Sequence, residues 1–572
     1  MENSICSSLP SLGVIPVLVN TGAALLPAAI AAVASAVALL FKPKELFRVC
    51  RAKPHVPLIL LLVVTGGYFG FQWMMGAGGE APPAVGRQAA IQTDGAGTQT
   101  DWTRVALQIL RNEQRQAQGE SRQPAAADAG DVAVGFAADD VPEAHLGFIF
   151  RRDAARRGHD GGPAPLNLSL DWEVHPEEFA MILTSPIEND GIVYGASTLL
   201  DPPSTYGMVF AVESASGDLL WEAQYLDNTG REMKGFFSSP ALTADGRHLI
   251  IGQGLHPDTE CELICIDTET GEVVWTVRTP IHIESSPAIY GDIVVVGAGA
   301  IEVGPERKPQ GDPEGVGHPG YVFAVRISTG EELWQYQVND PESSPAIKDG
   351  IAYIGSGFNG EAVVALRVEG TDEELAAQGL ERLLWRTDTP YPAVAAVTLV
   401  DDLVLIGGGN SDFVFADPNP AGVILALDQS TGEVRWSLDM PDSVLGPIAV
   451  HNGVGVAPVR SAPRQGRRSG MLVAFDVRDK GRVLWEHHLE RNALMLAGVA
   501  LMDTHVYSLS SDGYLRVLDA ADGTLVEEHY INRADRPGEM GLSISSPTVS
   551  NGRVFVGSET GGLRAYEGRA GE

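Results

Sequence analysis

From residue 167 to its end the chain repeats itself about every 50 residues, a period that belongs to solenoids and propellers. No other feature limits the fold as tightly. The clearest copy is Ala-Leu-Asp-Gln-Ser-Thr-Gly-Glu-Val-Arg-Trp at 426–436. The segment recurs at 211–221, 265–275 and 324–334, with one inserted residue at 474–485, and with a longer insertion at 365–385. It sets up a tryptophan column of Trp221, Trp275, Trp334, Trp385, Trp436 and Trp485. A second marker, Ser-Ser-Pro-Ala followed by an apolar residue, stands at 285–289 and 343–347. Variants of it occur at Ser185-Pro186, Ser238-Ser239-Pro240 and Ser545-Ser546-Pro547. Between the markers lie short β-branched runs, such as 293–296, 352–354 and 404–406, each followed by Gly. Such runs read as strands.

Each unit then holds four strands. Strand A follows the Ser-Pro pair, B is the β-branched run, C precedes the Asp, and D ends at the Trp. The Thr-Gly pair closes the tight C-to-D turn, where Gly accepts positive φ. The turn glycines are Gly217, Gly271, Gly330, Gly432 and Gly523. Four-stranded units of this period predict an all-β propeller, because radial closure leaves only short edges. The recurring Trp is placed in the seam between blades. Six blades end at the tryptophans above, and a seventh carries Glu527 in the Trp position. An eighth begins at Ser545 and stops one strand short. Residues 168–174 resemble a D strand, with Trp172 in the docking position. We therefore expect an eight-bladed ring closed by an N-terminal strand. The alternative is seven blades with a loose N-terminal arm.

The Ala-x-Asp-x-x-Thr-Gly-x-x-x-Trp segment resembles the repeat of pyrroloquinoline-quinone (PQQ)-type propellers, over residues 167–572. That group includes quinoprotein alcohol dehydrogenases and the non-catalytic BamB-type outer-membrane assembly lipoproteins. The resemblance implies either a quinone and Ca²⁺ held over the central axis beside an Asp base, or a binding propeller without a cofactor. The enzymes typically carry adjacent cysteines, and no Cys-Cys pair exists here. Cys261 and Cys265 share one strand, and four strand residues span roughly 13 Å, beyond disulfide reach. There is no Cys-x-x-Cys-His haem motif, no His-Glu-x-x-His, no Gly-x-Ser-x-Gly and no phosphate-binding Gly-Lys-Ser/Thr. The compact blades and an exported position favour the BamB-type reading. Cys6 lies before the apolar run rather than after it, so no lipoprotein signal is evident.

The leader predicts export. Residues 12–41 and 56–75 carry no Asp, Glu, Lys or Arg, and each is long enough for a transmembrane helix. One helix plus an interfacial segment is the alternative, since Pro16 and Pro27 interrupt the first stretch. The 42–55 loop carries Lys42, Lys44, Arg48, Arg51 and Lys53 against Glu45, which predicts a cytoplasmic loop. Residues 1–11 and everything after 75 then lie outside a bacterial cytoplasmic (inner) membrane, facing the periplasm or exterior. Residues 76–166, rich in Gly, Ala and Pro, read as a flexible linker. Residues 1–165 hold 14 basic and 14 acidic side chains, so the net −34 falls wholly on the propeller. That acidity argues against nucleic acid as a partner.

The long loops fall on the face where D-to-A and B-to-C loops emerge: 302–320, 409–422 and 458–470 between B and C, and 222–237 and 528–544 between D and A. Long loops on a rigid scaffold commonly carry function. That face is the expected surface for protein partners. The propeller's histidines (His248, His256, His282, His318, His451, His487, His488, His505 and His529) are scattered in sequence, and no metal site or catalytic set is assigned from them. The overall expectation is a membrane-anchored, extracytoplasmic, non-catalytic binding scaffold at the cell envelope. The alternative is a PQQ-dependent dehydrogenase of alcohols or sugars.

Overall fold

The structure is a computed structural model. It describes residues 150–570, apart from 152, 154, 159–162, 202–203, 257, 300–319, 359, 415, 465–466, 492 and 539–540. The strands form eight separate four-stranded antiparallel sheets. Blade 3 shows the pattern: A is Ala288–Tyr290, B is Ile293–Ala298, C is Tyr321–Arg326 and D is Glu331–Tyr336. B and C are buried along nearly their whole length, because each blade packs on a neighbour at both faces. Their sequences are accordingly continuous apolar runs rather than alternating ones. D is the outer strand and keeps an exposed edge.

The repeat motif has a local explanation in the C-to-D corner. In blade 2 the Asp267 carboxylate accepts the backbone N–H groups of Glu269 (3.0 Å) and Thr270 (2.9 Å), and Gly271 N–H returns to the Asp267 carbonyl at 2.9 Å. Asp428 binds Ser430 and Thr431 in the same way in blade 5. This side-chain-to-backbone turn requires a residue at positive φ. Gly217, Gly271, Gly330, Gly432 and Gly523 lie at φ between 73° and 74°. A register shift follows the same C-strand position in blades 1 to 7, for example between Ala324 and Val325 and between Ala426 and Leu427. Such a bulge adds twist to the outer edge. The longer insertion of blade 4 forms one short helix, Asp372–Ala377, capped by Thr371.

The ring closes non-covalently. Pro165–Val174 pairs with Leu563–Ala570, which continues through Arg553–Gly557 to Thr548–Ser550. The N-terminal strand is thus the D strand of the last blade, and the open-arm alternative does not apply. Tyr507 of blade 7 donates its hydroxyl to the Pro165 carbonyl at 2.6 Å, while Arg553 pairs with Asp171 and Arg564 with Glu173.

Two expectations change. The 458–470 connection is not an irregular loop but the end of a long hairpin, Val454–Arg464 with Arg467–Asp476. The described end of the 76–166 linker is built into the propeller, as shown below. Residues 12–41 and 56–75 lie outside the described residues, as does most of the 302–320 loop. Among the described residues no helix is long and apolar enough to cross a membrane.

Candidate functional site

The inner strands surround a central axis, and the Ser-Ser-Pro marker lines it. The second serine of each pair joins its neighbour in one rotational sense. Gly498 N–H donates to Ser546 Oγ (3.0 Å), Ser546 N–H to Ser185 Oγ (2.8 Å), Ser185 N–H to Ser239 Oγ (2.9 Å), Ser239 N–H to Ser286 Oγ (3.0 Å), and Ser286 N–H to Ser344 Oγ (2.9 Å). The first serines tie the same blades together through carbonyls: Ser238 Oγ to Ser285 O, Ser285 Oγ to Ser343 O, and Ser343 Oγ to Ala395 O. The marker therefore does more than begin a strand. It satisfies backbone groups at inner edges where no further strand can pair.

The remaining edge groups are taken by the segment expected to be linker. Residues 155–158 run across the inner strands of three blades: Leu399 N–H donates to Ala155 O, Val450 N–H to Arg157 O, and Leu501 N–H to Gly158 O. Arg156 is fully buried. Its guanidinium donates to the carbonyls of Pro345, Ser286 (2.7 Å), Pro287 (3.0 Å) and Phe150 (3.0 Å). Arg151 reaches Val499 O of blade 7. Only the axis brings groups from blades 3 to 7 within reach of nine consecutive residues. Burial pulls both guanidinium groups down, to about 9, so each remains charged at neutral pH and serves as a cationic plug.

Apolar side chains from the long-loop face meet the plug from the other direction. Leu183, Phe237, Val394, Phe413, Leu445 and Ile544 converge with Phe150, and Phe237 meets Phe413 edge-on at 5.5 Å. The cavity left between them is about 80 Å³. A quinone of the pyrroloquinoline type carries three carboxylates, so it needs cationic partners and a slot of several hundred cubic ångströms. The charged groups among the described lining residues are Glu284 and Glu342. These residues do not fit the cofactor.

At the edge of this cavity the structure gathers residues that look unrelated in sequence. His256 comes from the B-to-C loop of blade 2, His282 follows its D strand, Glu284 leads into blade 3 and Glu342 into blade 4. The two imidazoles stack at 4.8 Å with 22° between planes. His256 Nδ1 lies 3.0 Å from Glu284 Oε1, which also accepts the His256 backbone N–H at 2.9 Å. His256 Nε2 and His282 Nε2 both face Glu342 Oε1, at 3.3 and 3.2 Å. Glu342 raises His256 well above the usual imidazole range, whereas burial, reinforced by His256, pulls His282 down to about 4. Burial alone would raise Glu284; the neighbouring His256 and His282 together outweigh it and hold the carboxyl below its ordinary value. His282, Glu284 and Glu342 gave no sequence signal as a set, because they lie 2 to 60 residues apart on two inter-blade connections.

The seam residues lie elsewhere, toward the opposite face. Each Trp except Trp334 covers the turn glycine of the following blade. A Cβ added at Gly217 would lie 2.7 Å from Trp172, at Gly271 2.9 Å from Trp221, at Gly330 2.9 Å from Trp275, at Gly432 2.6 Å from Trp385, and at Gly523 2.5 Å from Trp485. Trp436 covers Gly481 in the same way (2.8 Å), a glycine that the inserted residue hid from the repeat pattern. The indole N–H donates across the seam: Trp172 to Ser214 O, Trp221 to Thr268 O, Trp275 to Ile327 O, Trp385 to Gln429 O and Trp485 to Ala520 O. Trp334 faces the helical insertion instead. It donates to Val368 O and stacks under Arg382, 4.4 Å above its ring. Cys261 and Cys265 are buried free thiols, and burial pushes both up to about 12.

The comparisons with known proteins agree with this architecture and divide over chemistry. The chain is 23% identical over 382 residues to the outer membrane protein assembly factor BamB of Shewanella oneidensis, covering 64% of this chain and 83% of that protein. It is 21% identical over 403 residues to lupanine 17-hydroxylase [cytochrome c] of a Pseudomonas species, covering 66% of this chain but only 49% of that protein. Among solved structures, the quinohemoprotein alcohol dehydrogenase of Comamonas testosteroni superposes with a TM-score of 0.51 at 15% identity, over 75% of this chain and 82% of its own, a likeness of fold alone. Residues 205–371 and 381–572, more than half of the chain, match the family described as outer membrane protein assembly factor BamB, and the chain belongs to that family of PQQ-repeat propellers.

Proposed function

We propose that this protein is a membrane-anchored, extracytoplasmic propeller that binds protein partners at the cell envelope without catalysing a reaction. The observation that carries this reading is the state of the axis. Where a cofactor enzyme needs an open, cationic slot, this chain places its own apolar roof over a cavity of about 80 Å³ lined by two carboxylates. With the axis filled, binding falls to the rim. The long-loop face offers exposed apolar groups there, Tyr225 on the blade 1 D-to-A loop and Val414 on the blade 5 B-to-C loop. Two relatives, from Shewanella oneidensis and Yersinia pestis, are named as outer membrane protein assembly factors, which supports an envelope role with protein partners. The uncharged stretches 12–41 and 56–75, with the basic loop between them, support anchoring in the inner membrane with the propeller outside.

The dehydrogenase reading draws on relatives named lupanine 17-hydroxylase and polyvinylalcohol dehydrogenase, each matched over about half its length. One experiment separates the two. The purified full chain is incubated with pyrroloquinoline quinone and Ca²⁺ and assayed for dye reduction with alcohols and sugars; turnover overthrows the scaffold reading. In parallel, a photo-crosslinking residue at Val414 should trap discrete protein adducts in intact cells, and one at Glu269, on a C-to-D turn of the other face, should not. Equal labelling from both positions removes the assignment of the face. A phosphatase fused after Met75 should be active; an inactive fusion overturns the topology.

A further inference from the structure

We propose that His256, His282 and Glu342 form a binding site for one divalent transition-metal ion of the zinc type, with Glu284 as the outer carboxylate that orients His256. The site does not depend on whether the propeller is catalytic.

The geometry carries the proposal. Zinc bound to imidazole nitrogen and carboxylate oxygen at 2.0–2.2 Å in a tetrahedron places its ligand atoms about 3.3 Å from one another. Glu342 Oε1 stands 3.3 Å from His256 Nε2 and 3.2 Å from His282 Nε2. The potential ligand atoms of His256, His282 and Glu284 also lie within 4.8 Å of one another. His256 offers its Nε2 to this point while its Nδ1 faces Glu284 Oε1 at 3.0 Å. That is the carboxylate–histidine–metal arrangement, in which an outer carboxylate fixes the tautomer and the ring orientation of a ligating histidine. Three protein ligands leave a fourth position for water.

Charge and space point the same way. Glu284 and Glu342 face two stacked imidazoles, one of which, His282, is fully buried. Asp340 adds further negative potential at both rings, and Asp258 at His282. A divalent cation at this point is opposite in charge to both carboxylates. A backbone glycine borders the spot: a Cβ at Gly299 would lie 2.5 Å from His282 Nε2 and 3.3 Å from Glu342 Cγ. Two imidazoles in the donor set distinguish this site from an all-oxygen calcium cage and favour zinc, cobalt or nickel over calcium and magnesium.

The test uses the full chain, purified in detergent and stripped with a chelator. Titration with Co²⁺ should saturate at one equivalent and develop the intense visible bands of a four- or five-coordinate site, and Zn²⁺ should displace it. Glu342→Gln should weaken Co²⁺ binding at least tenfold, and Glu284→Gln by about 10–100-fold. Gly299→Ala keeps every ligand residue but sets a methyl 2.5 Å from His282 Nε2, so it must displace that imidazole and should also weaken binding. Circular dichroism and thermal melting of each metal-free variant verify the fold. Substoichiometric binding, the weak bands of an octahedral site, or affinity unchanged in folded Glu342→Gln and Glu284→Gln proteins would each overturn the proposal.

Discussion

The seams between blades and the seam that closes the ring solve one packing problem with different chemistry. At an ordinary seam an indole from one blade lies over the turn glycine of the next and donates its N–H to a carbonyl there, as Trp385 does over Gly432 with Gln429 O at 2.9 Å. The glycine serves twice, by taking φ 73° and by leaving room for the ring. Between blades 7 and 8 there is no such turn, because the eighth blade's C and D strands come from opposite ends of the chain. The Trp position is occupied by Glu527, whose carboxylate accepts the backbone N–H groups of Asn167 and Leu168 at 2.9 and 3.0 Å. A covalent hairpin offers a flat glycine to cover; a free N-terminal strand offers unpaired N–H donors to an anion. Where the repeat loses its tryptophan, it gains the group that the closing strand requires.

The comparison predicts where damage is greatest. Deleting residues 167–174 removes a whole strand, including the buried Leu168 and Trp172, and opens the ring on both sides. We expect the melting temperature of the propeller to fall by on the order of 10 °C, the scale for losing several kcal/mol in a domain of this size. An unchanged melt would mean that closure contributes nothing. Next in size is Arg156→Met. It strips a donor from the carbonyls of Phe150, Ser286, Pro287 and Pro345 in a region closed to water. We expect about 3–5 kcal/mol lost in chemical denaturation, because buried acceptors are left unpaired. A loss below about 1 kcal/mol would show that the plug is an accessory and not part of the core.

How much of this was legible in the sequence follows from repetition. The four strands, the Asp-x-x-Thr-Gly turn and the tryptophan column recur in blade after blade, so chance matches average out. Even Glu527 could be read, as the gap in a column. The axial plug occurs once. Arg156 pairs with backbone carbonyls, which have no sequence signature, and it follows a stretch whose Gly, Ala and Pro content describes a linker. The one available signal was Phe148-Ile149-Phe150-Arg151-Arg152, an aromatic and cationic cluster in an otherwise bland segment. The His256, His282, Glu284 and Glu342 group was equally hidden, since it is assembled from one B-to-C loop and two inter-blade connections and follows no period. The long hairpin at 454–476 was missed for another reason. Its Arg- and Pro-rich tip, Arg460 to Arg468, reads as a loop, yet Arg460 and Arg468 both pair with the buried Asp442 and hold the tip in place.

The tryptophan–glycine pairing itself can be tested at one seam. Trp385→Ala should cost about 3–5 kcal/mol, the usual price of truncating a large buried aromatic. Gly432→Ala should cost about as much or somewhat less, since the added methyl meets the ring and a non-glycine residue must hold φ 73°. The double variant decides the mechanism. If the ring is what the methyl strikes, truncating it relieves the clash, and the combined loss falls short of the sum by about 1–2 kcal/mol. Additivity would mean that the glycine matters for its dihedral angle alone.

The smallest effect is expected at the closing seam. Glu527→Gln keeps the shape and can still accept, but it trades an anion for a neutral amide opposite two N–H donors. Hydrogen bonds to a charged acceptor are worth about 1.5–3 kcal/mol and neutral ones about 0.5–1.5, so the variant should lose about 1–2 kcal/mol in chemical denaturation. Glu527→Trp sharpens the contrast. At every other seam except that of Trp334 the indole covers a turn glycine; here it would displace the carboxylate that accepts Asn167 and Leu168 N–H without a glycine to cover, so restoring the consensus residue should destabilise the ring more than Gln does. If Glu527→Trp instead raises the melting temperature, the closing seam tolerates the ordinary docking geometry, and the carboxylate is a drift from the repeat rather than an adaptation to a strand that arrives from the other end of the chain.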